Sequence, residues 1–182
     1  ETLGGASDNC EHGIGHGIQG THAYNVDGLN KSLATCDALS PRSHPVAGCA
    51  GGVFMEYNTR DVGNEKTGDS RPFALKEILE PCASLSEQHR GPCAHWQVQW
   101  WIATAPEKDD GPGLAAALGA WCKQMPGGKI AYLLCLEGIT RDMKTVTGGM
   151  PSLTAERCER QVAILAIGIV VTRGTLHAIR VS

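Results

Sequence analysis

Apolar residues recur at three- and four-residue intervals over most of the chain, the mark of helices with one buried face. Leu29, Leu33 and Cys36 fall on one face of a segment that Asp27 can cap and that Ser40-Pro41 stops. The same reading predicts helices from Ser7 or Asp8 to Gln19, Val46 to Asn58, Pro72 to Leu79 (perturbed by Pro81), Cys93 to Ala105, Leu114 to Gln124 and Lys129 to Met143. An eighth begins near Ser152 or Thr154. Polar or Gly- and Pro-rich connections, such as Thr59 to Arg71 and Pro106 to Gly113, separate them. The end of the chain departs from this pattern. Gln161 to Val171 is rich in Ile and Val, and Thr175 to Val181 alternates apolar with polar residues. The pattern predicts either a short β-hairpin turning at Thr172-Arg173-Gly174 or a buried last helix with a tail.

The cysteines turn this series of helices into a repeat. Cys10, Cys49, Cys93 and Cys135 each open a helical pattern, at spacings of 39, 44 and 42. Cys36, Cys82, Cys122 and Cys158 each close one, at spacings of 46, 40 and 36. Four units follow, 8–45, 46–89, 90–131 and 132–160, with an apolar tail at 161–182, all in one domain of 182 residues. The expected fold is mainly α: four helical hairpins of about 42 residues stacked as an α/α solenoid. The 13, 11 and 13 residues between units favour the pairs Cys36–Cys49, Cys82–Cys93 and Cys122–Cys135, among the many connectivities that eight cysteines allow. Cys10 then lacks a predecessor and Cys158 a successor. They pair either within one chain, closing a ring, or between copies, and the second is favoured because four hairpins are few for a ring.

Helix pairing at this period resembles the broad class of tetratricopeptide or Sel1-type helical repeats, in a secreted, disulfide-stapled form. The resemblance covers most of residues 8–160 and is architectural. The consensus residues of those families are absent, so it implies no activity.

Composition narrows the setting. No two cysteines form a C-x-x-C pair, which removes the signature of zinc knuckles and thioredoxin-type sites. Together with a first residue of Glu1 and no leader-like segment, this predicts a secreted protein, extracellular or periplasmic, after removal of a signal peptide. The net charge of -3 offers nucleic acid no attraction, and the longest apolar run, Val162 to Val171, is too short for a membrane span. Gly at 23 and Phe at 2 predict packing through small residues. Gly13, Gly52 and Gly138 share a repeat position, as where helices approach closely. Gly15, Gly17 and Gly20 have no such account and imply contact with a ligand or another chain.

Candidate chemistry concentrates in Cys10-Glu-His-Gly-Ile-Gly-His. His12 and His16 stand four apart, a spacing at which two imidazoles can share a zinc or copper ion, with His22 or His95 as third ligand. Superposed repeats place His95 and Glu137 with His12, and Met55, Gln99 and Arg141 with His16, a polar strip along one face. A purely structural role for these histidines is the competing reading. Trp96, Trp100, Trp101 and Trp121 suit packing better than a carbohydrate platform. Glu56 and Glu137 offer a weak acid–base pair for glycoside cleavage. Asn30-Lys31-Ser32 matches the glycosylation pattern.

Two functions are expected from these features. The first is a secreted structural and interaction solenoid that binds copies of itself head to tail, into an extracellular filament. The alternative is an extracellular metal-binding protein or metal-dependent hydrolase using His12 and His16. The first, which is not an enzyme, accounts for more of the residues.

Overall fold

A computed structural model describes residues 3–41, 43–59, 77–104 and 111–146. These residues hold six α-helices and no strand: α1 (Leu3–Gly20), α2 (Val26–Leu39), α3 (Cys49–Thr59), α4 (Glu87–Thr104), α5 (Gly111–Gln124) and α6 (Gly128–Val146). A 3-10 turn at Cys82–Ser84 precedes α4. The expected helix after Ser152, the C-terminal hairpin or helix and Cys158 all lie outside the described residues, as does most of the segment 72–79. Its described end, Glu77 to Leu79, is turn rather than α-helix.

Helix ends follow local chemistry, with shifts from the sequence expectation. Asn25, not Asp27, caps α2: its side chain accepts the Gly28 N–H at 2.9 Å, satisfying one of the first-turn donors. Asp27 sits in the first turn, where a negative charge favours the helix, and pairs with Lys31 one turn on. Ser43 Oγ accepts the Cys49 N–H at 2.9 Å at the start of α3 and donates to the Glu11 carboxylate, tying that start to α1. Helix α4 begins at Glu87, six residues before Cys93, and carries Pro92 as its sixth residue, where the missing N–H leaves the Gln88 carbonyl without its helical donor. Gly127 and Gly128, with φ of 106° and 65°, make the turn between α5 and α6, a backbone that side chains with a Cβ resist.

In packing, α1 lies on α3, α3 on α4 and α4 on α6, while α2 flanks α1 and α3, and α5 flanks α6 and α4. Helix α4 is central. Every residue from Gly91 to Val98 is buried, because small, apolar and hydrogen-bonded side chains cover all its sides. Gln97 Nε2 donates to the Glu80 carbonyl at 2.9 Å and Trp101 Nε1 to the Ile78 carbonyl at 2.9 Å, so two buried donors on α4 hold the chain entering Cys82. Trp96 Nε1 donates to the Val46 carbonyl at 3.1 Å, which fixes the loop before α3. Trp100 and Trp101 are buried and Trp121 packs edge-on against Trp101, so these indoles serve the interior.

Three disulfides join Cys36 to Cys49, Cys82 to Cys93 and Cys122 to Cys135, with Cα–Cα distances of 5.6, 5.5 and 5.6 Å. They tie the last turns of α2 to the start of α3, the 3-10 turn to the second turn of α4, and the last turn of α5 to the second turn of α6, and all six cysteines are buried. Peptide mapping of the unreduced protein is expected to recover these three links. Free thiols at any pair would contradict the packing of α2 on α3 and of α5 on α6.

The glycines separate into two groups that repeat position alone does not distinguish. A Cβ on Gly52 would stand 1.9 Å from the His12 carbonyl oxygen, and one on Gly138 2.2 Å from that of His95. Both allow a helix to rest on the backbone of its neighbour. Gly13 shares their repeat position but has nothing within 4 Å, whereas Gly15, whose Cβ would stand 2.0 Å from the Cys49 carbonyl oxygen, is a close contact of α1 with α3. The expectation for Gly13 is corrected within the described chain, and Gly15 needs no ligand to explain it.

Candidate functional site

Two pairs of helices present the same polar positions. On α1 and α4 a histidine stands two residues after a cysteine, as His12 and His95. On α3 and α6 a carboxylate stands seven residues after a cysteine, as Glu56 and Asp142. The surroundings match as well. The His12 ring rests on the backbone of Gly48 and the His95 ring on that of Leu134, in each case the residue before the cysteine of the helix packed against it, α3 or α6. Gly52 and Gly138 close on the carbonyls of these two histidines. The chain therefore holds two related constellations, one between α1 and α3 and one between α4 and α6.

In the first, His16 Nδ1 meets Glu56 Oε2 at 2.9 Å and the Tyr24 hydroxyl donates to Glu56 Oε1 at 2.9 Å. His12 packs edge-on to His16, with ring centroids 5.0 Å apart, and lies 5.5 Å from the Trp96 ring. In the second, Arg141 grips Asp142 through Nε at 2.8 Å and Nη2 at 2.6 Å, and its guanidinium lies 4.0 Å over the Trp96 ring. His95 stacks edge-on to Trp96 at 5.2 Å, with Nδ1 3.9 Å from the Glu137 carboxylate. Trp96 thus joins the two constellations into one strip.

Burial, helped by His16, pushes the His12 imidazole below its ordinary value. Burial, helped by Arg141, pushes His95 down to about 4. Both rings are neutral near pH 7, whereas unfolded histidine takes up a proton near pH 6.5. The unfolded chain binds more protons at mildly acidic pH, so the stability these rings hold is complete above pH 6.5 and is lost as pH falls. The urea midpoint is expected to be lower at about pH 5 than at about pH 7, before most carboxylates titrate. An unchanged midpoint would show that the rings accept protons in place.

The other candidates separate. His22 Nδ1 donates to the Ile18 carbonyl at 3.1 Å and approaches Ser32 Oγ at 3.2 Å, which occupies it in the α1–α2 connection. Among the described residues no group of three or more His, Cys, Asp or Glu is disposed to hold a metal ion, so His12, His16 and His95 find no three-ligand centre for zinc or copper. Glu56 and Glu137 belong to different constellations, the first engaged by His16 and Tyr24, the second beside His95. Asn30 is exposed on α2, while Ser32 of the same tripeptide is buried. The sequence reading missed Tyr24 and Asp142. The shared offset of Glu56 and Asp142 from their cysteines would have found Asp142, but nothing local marks Tyr24.

No protein-family model matches the chain, and neither a curated protein nor a solved structure does. The described residues are helical and carry three disulfides, consistent with a broad helical class. No helix of the described residues is long and apolar enough to cross a membrane.

Proposed function

We propose that the protein is a secreted, disulfide-stapled α/α solenoid that assembles head to tail with copies of itself. The outer face of α1 carries this reading. Cys10, Gly13, Ile14 and Gly17 occupy one helical face; all four are exposed, and nothing lies within 4 Å of a Cβ built on either glycine. On α3 and α6 the position three residues after the cysteine receives another helix: Gly52 receives α1 and Gly138 receives α4. Gly13 presents the same bare surface to solvent. Cys10 is the one described cysteine outside the three disulfides. At the other end of the row, α6 exposes Ile130 and Leu133, apolar surface for a neighbour to cover. A contact between two different faces propagates unless its rotation closes a ring. Three buried disulfides suit an oxidising compartment.

The experiment is non-reducing electrophoresis together with the native mass of the full chain. A ladder of covalent multimers is expected, lost in Cys10→Ser, with noncovalent association weakened in Gly13→Leu. That substitution enters open space and spares the monomer fold. A sharp monomer that yields a Cys10–Cys158 peptide from a single chain would overturn the proposal.

A further inference from the structure

A groove of about 720 Å³ lies between α4 and α6, beside the loop that precedes α3. Its volume suits a small ligand. Val46 and Leu134 supply apolar wall; His95, Trp96, Glu137 and Arg141 supply the rest of the chemistry. Two polar atoms here are buried without a hydrogen-bond partner: His95 Nδ1 and Arg141 Nη1. His95 is only 4% exposed, so an unpaired nitrogen there is costly. In the neutral ring protonated on Nε2, Nδ1 is an acceptor, and it faces Glu137.

Glu137 Oε2 and His95 Nδ1 are 3.9 Å apart, too far to bond each other. One nitrogen donor about 2.9 Å from each acceptor spans that gap without movement. A tetrahedral metal at about 2.1 Å from each would hold them about 3.4 Å apart, but the described residues offer it no third ligand. An ammonium also supplies charge. Arg141 is engaged by Asp142 on two nitrogens, and among the described residues Glu137 is paired with no Lys or Arg, only with the neutral His95 imidazole. Arg141 Nη1, a donor, requires an oxygen acceptor in the same groove.

We propose that this groove binds an α-ammonium carbonyl group, the chemistry shared by a free amino acid and the amino terminus of a peptide. The ammonium sits between Glu137 and His95 Nδ1, the adjacent oxygen accepts from Arg141 Nη1, and an apolar α-substituent lies against Val46 and Leu134. The related constellation on α1 and α3 lacks this site, because Gly51 stands where α6 has Glu137 and Met55 where it has Arg141.

Calorimetric titration of the oxidised full chain tests it with four probes: leucine, leucyl-glycinamide, N-acetyl-leucinamide and isopentylamine. Saturable binding of leucine or leucyl-glycinamide is expected, and the tighter of the two identifies the source. Acetylation removes the ammonium and isopentylamine lacks the oxygen, so each is expected to bind at least about tenfold more weakly. Glu137→Gln, at an exposed position that the fold does not need, is expected to weaken binding by about the same factor. Absence of binding by both leucine and leucyl-glycinamide, equal binding of N-acetyl-leucinamide, or unchanged binding in Glu137→Gln would each overturn the proposal. Assembly through α1 is unaffected by any of these outcomes.

Discussion

Reduction of the three disulfides is expected to unfold the protein. Each bond closes a loop of 13, 11 or 13 residues, and the loops do not overlap along the chain. A loop of this length removes unfolded-state entropy equivalent to about 3 kcal/mol. Three such terms come to about 9 kcal/mol, comparable to the whole stability of an ordinary domain, about 5–15 kcal/mol. The described core buries Trp96, Trp100, Trp101, Phe54, Tyr24 and Tyr57, but such burial ordinarily offsets chain entropy and leaves only that margin. Its fully buried members include one Trp and one Phe, and the rest is aliphatic, Gln, small or cystine. Circular dichroism with and without a phosphine reductant measures the effect, with loss of the cooperative melt expected on reduction. The paired substitution Cys82→Ala with Cys93→Ala is expected to cost at least about 3 kcal/mol, since both sulfurs are fully buried and their removal also leaves a void. A reduced chain with an unchanged melt would refute the assignment of stability to the staples.

Substitution of the contact glycines by alanine is expected to change sign along a single helix. Alanine is intrinsically better than glycine inside a helix by about 1 kcal/mol. At Gly17 nothing opposes that gain, because nothing lies within 4 Å of the added methyl, so Gly17→Ala is expected to stabilise the monomer by somewhat under about 1 kcal/mol. At Gly15 the methyl would stand 2.0 Å from the Cys49 carbonyl oxygen and 2.9 Å from the Val53 nitrogen, and at Gly52 1.9 Å from the His12 carbonyl oxygen. These are backbone atoms, which cannot rotate aside as the end of a side chain can. The helices must separate, the pair His16–Glu56 loosens, and packing is lost on both sides. Overpacking on this scale costs about 3 kcal/mol, leaving a net loss of about 2 kcal/mol after the helix gain. Urea unfolding of Gly15→Ala, Gly17→Ala and Gly52→Ala, each in a Cys10→Ser background and at a protein concentration where the native mass is that of the monomer, measures the three values. Equal effects at all three positions would show that α1 does not rest on α3 through bare backbone.

The sequence by itself located the six described helices and the three staples, but not the turn at Glu77 to Leu79. Helical periodicity depends on residues three and four apart, and the 13- and 11-residue cysteine intervals are short enough that only neighbouring element ends can meet. For the same reason the equivalence of His12 with His95 was legible as a common offset from a cysteine. The tertiary structure decided what these positions face. Gly13 and Gly15 are indistinguishable by composition, yet the rotation of α1 about its axis points one into open space and the other onto Cys49. Glu56 meets His16 across 40 residues and Tyr24 across 32, and no local rule fixes such a meeting. The early start of α4, through Pro92, follows from its burial between α3 and α6, which outweighs the propensity of Gly91-Pro92 to interrupt a helix. Pairings within a turn or a short loop are set by chain geometry, whereas the contacts that make a site depend on how whole helices cross, and that is fixed only when every face has found its neighbour.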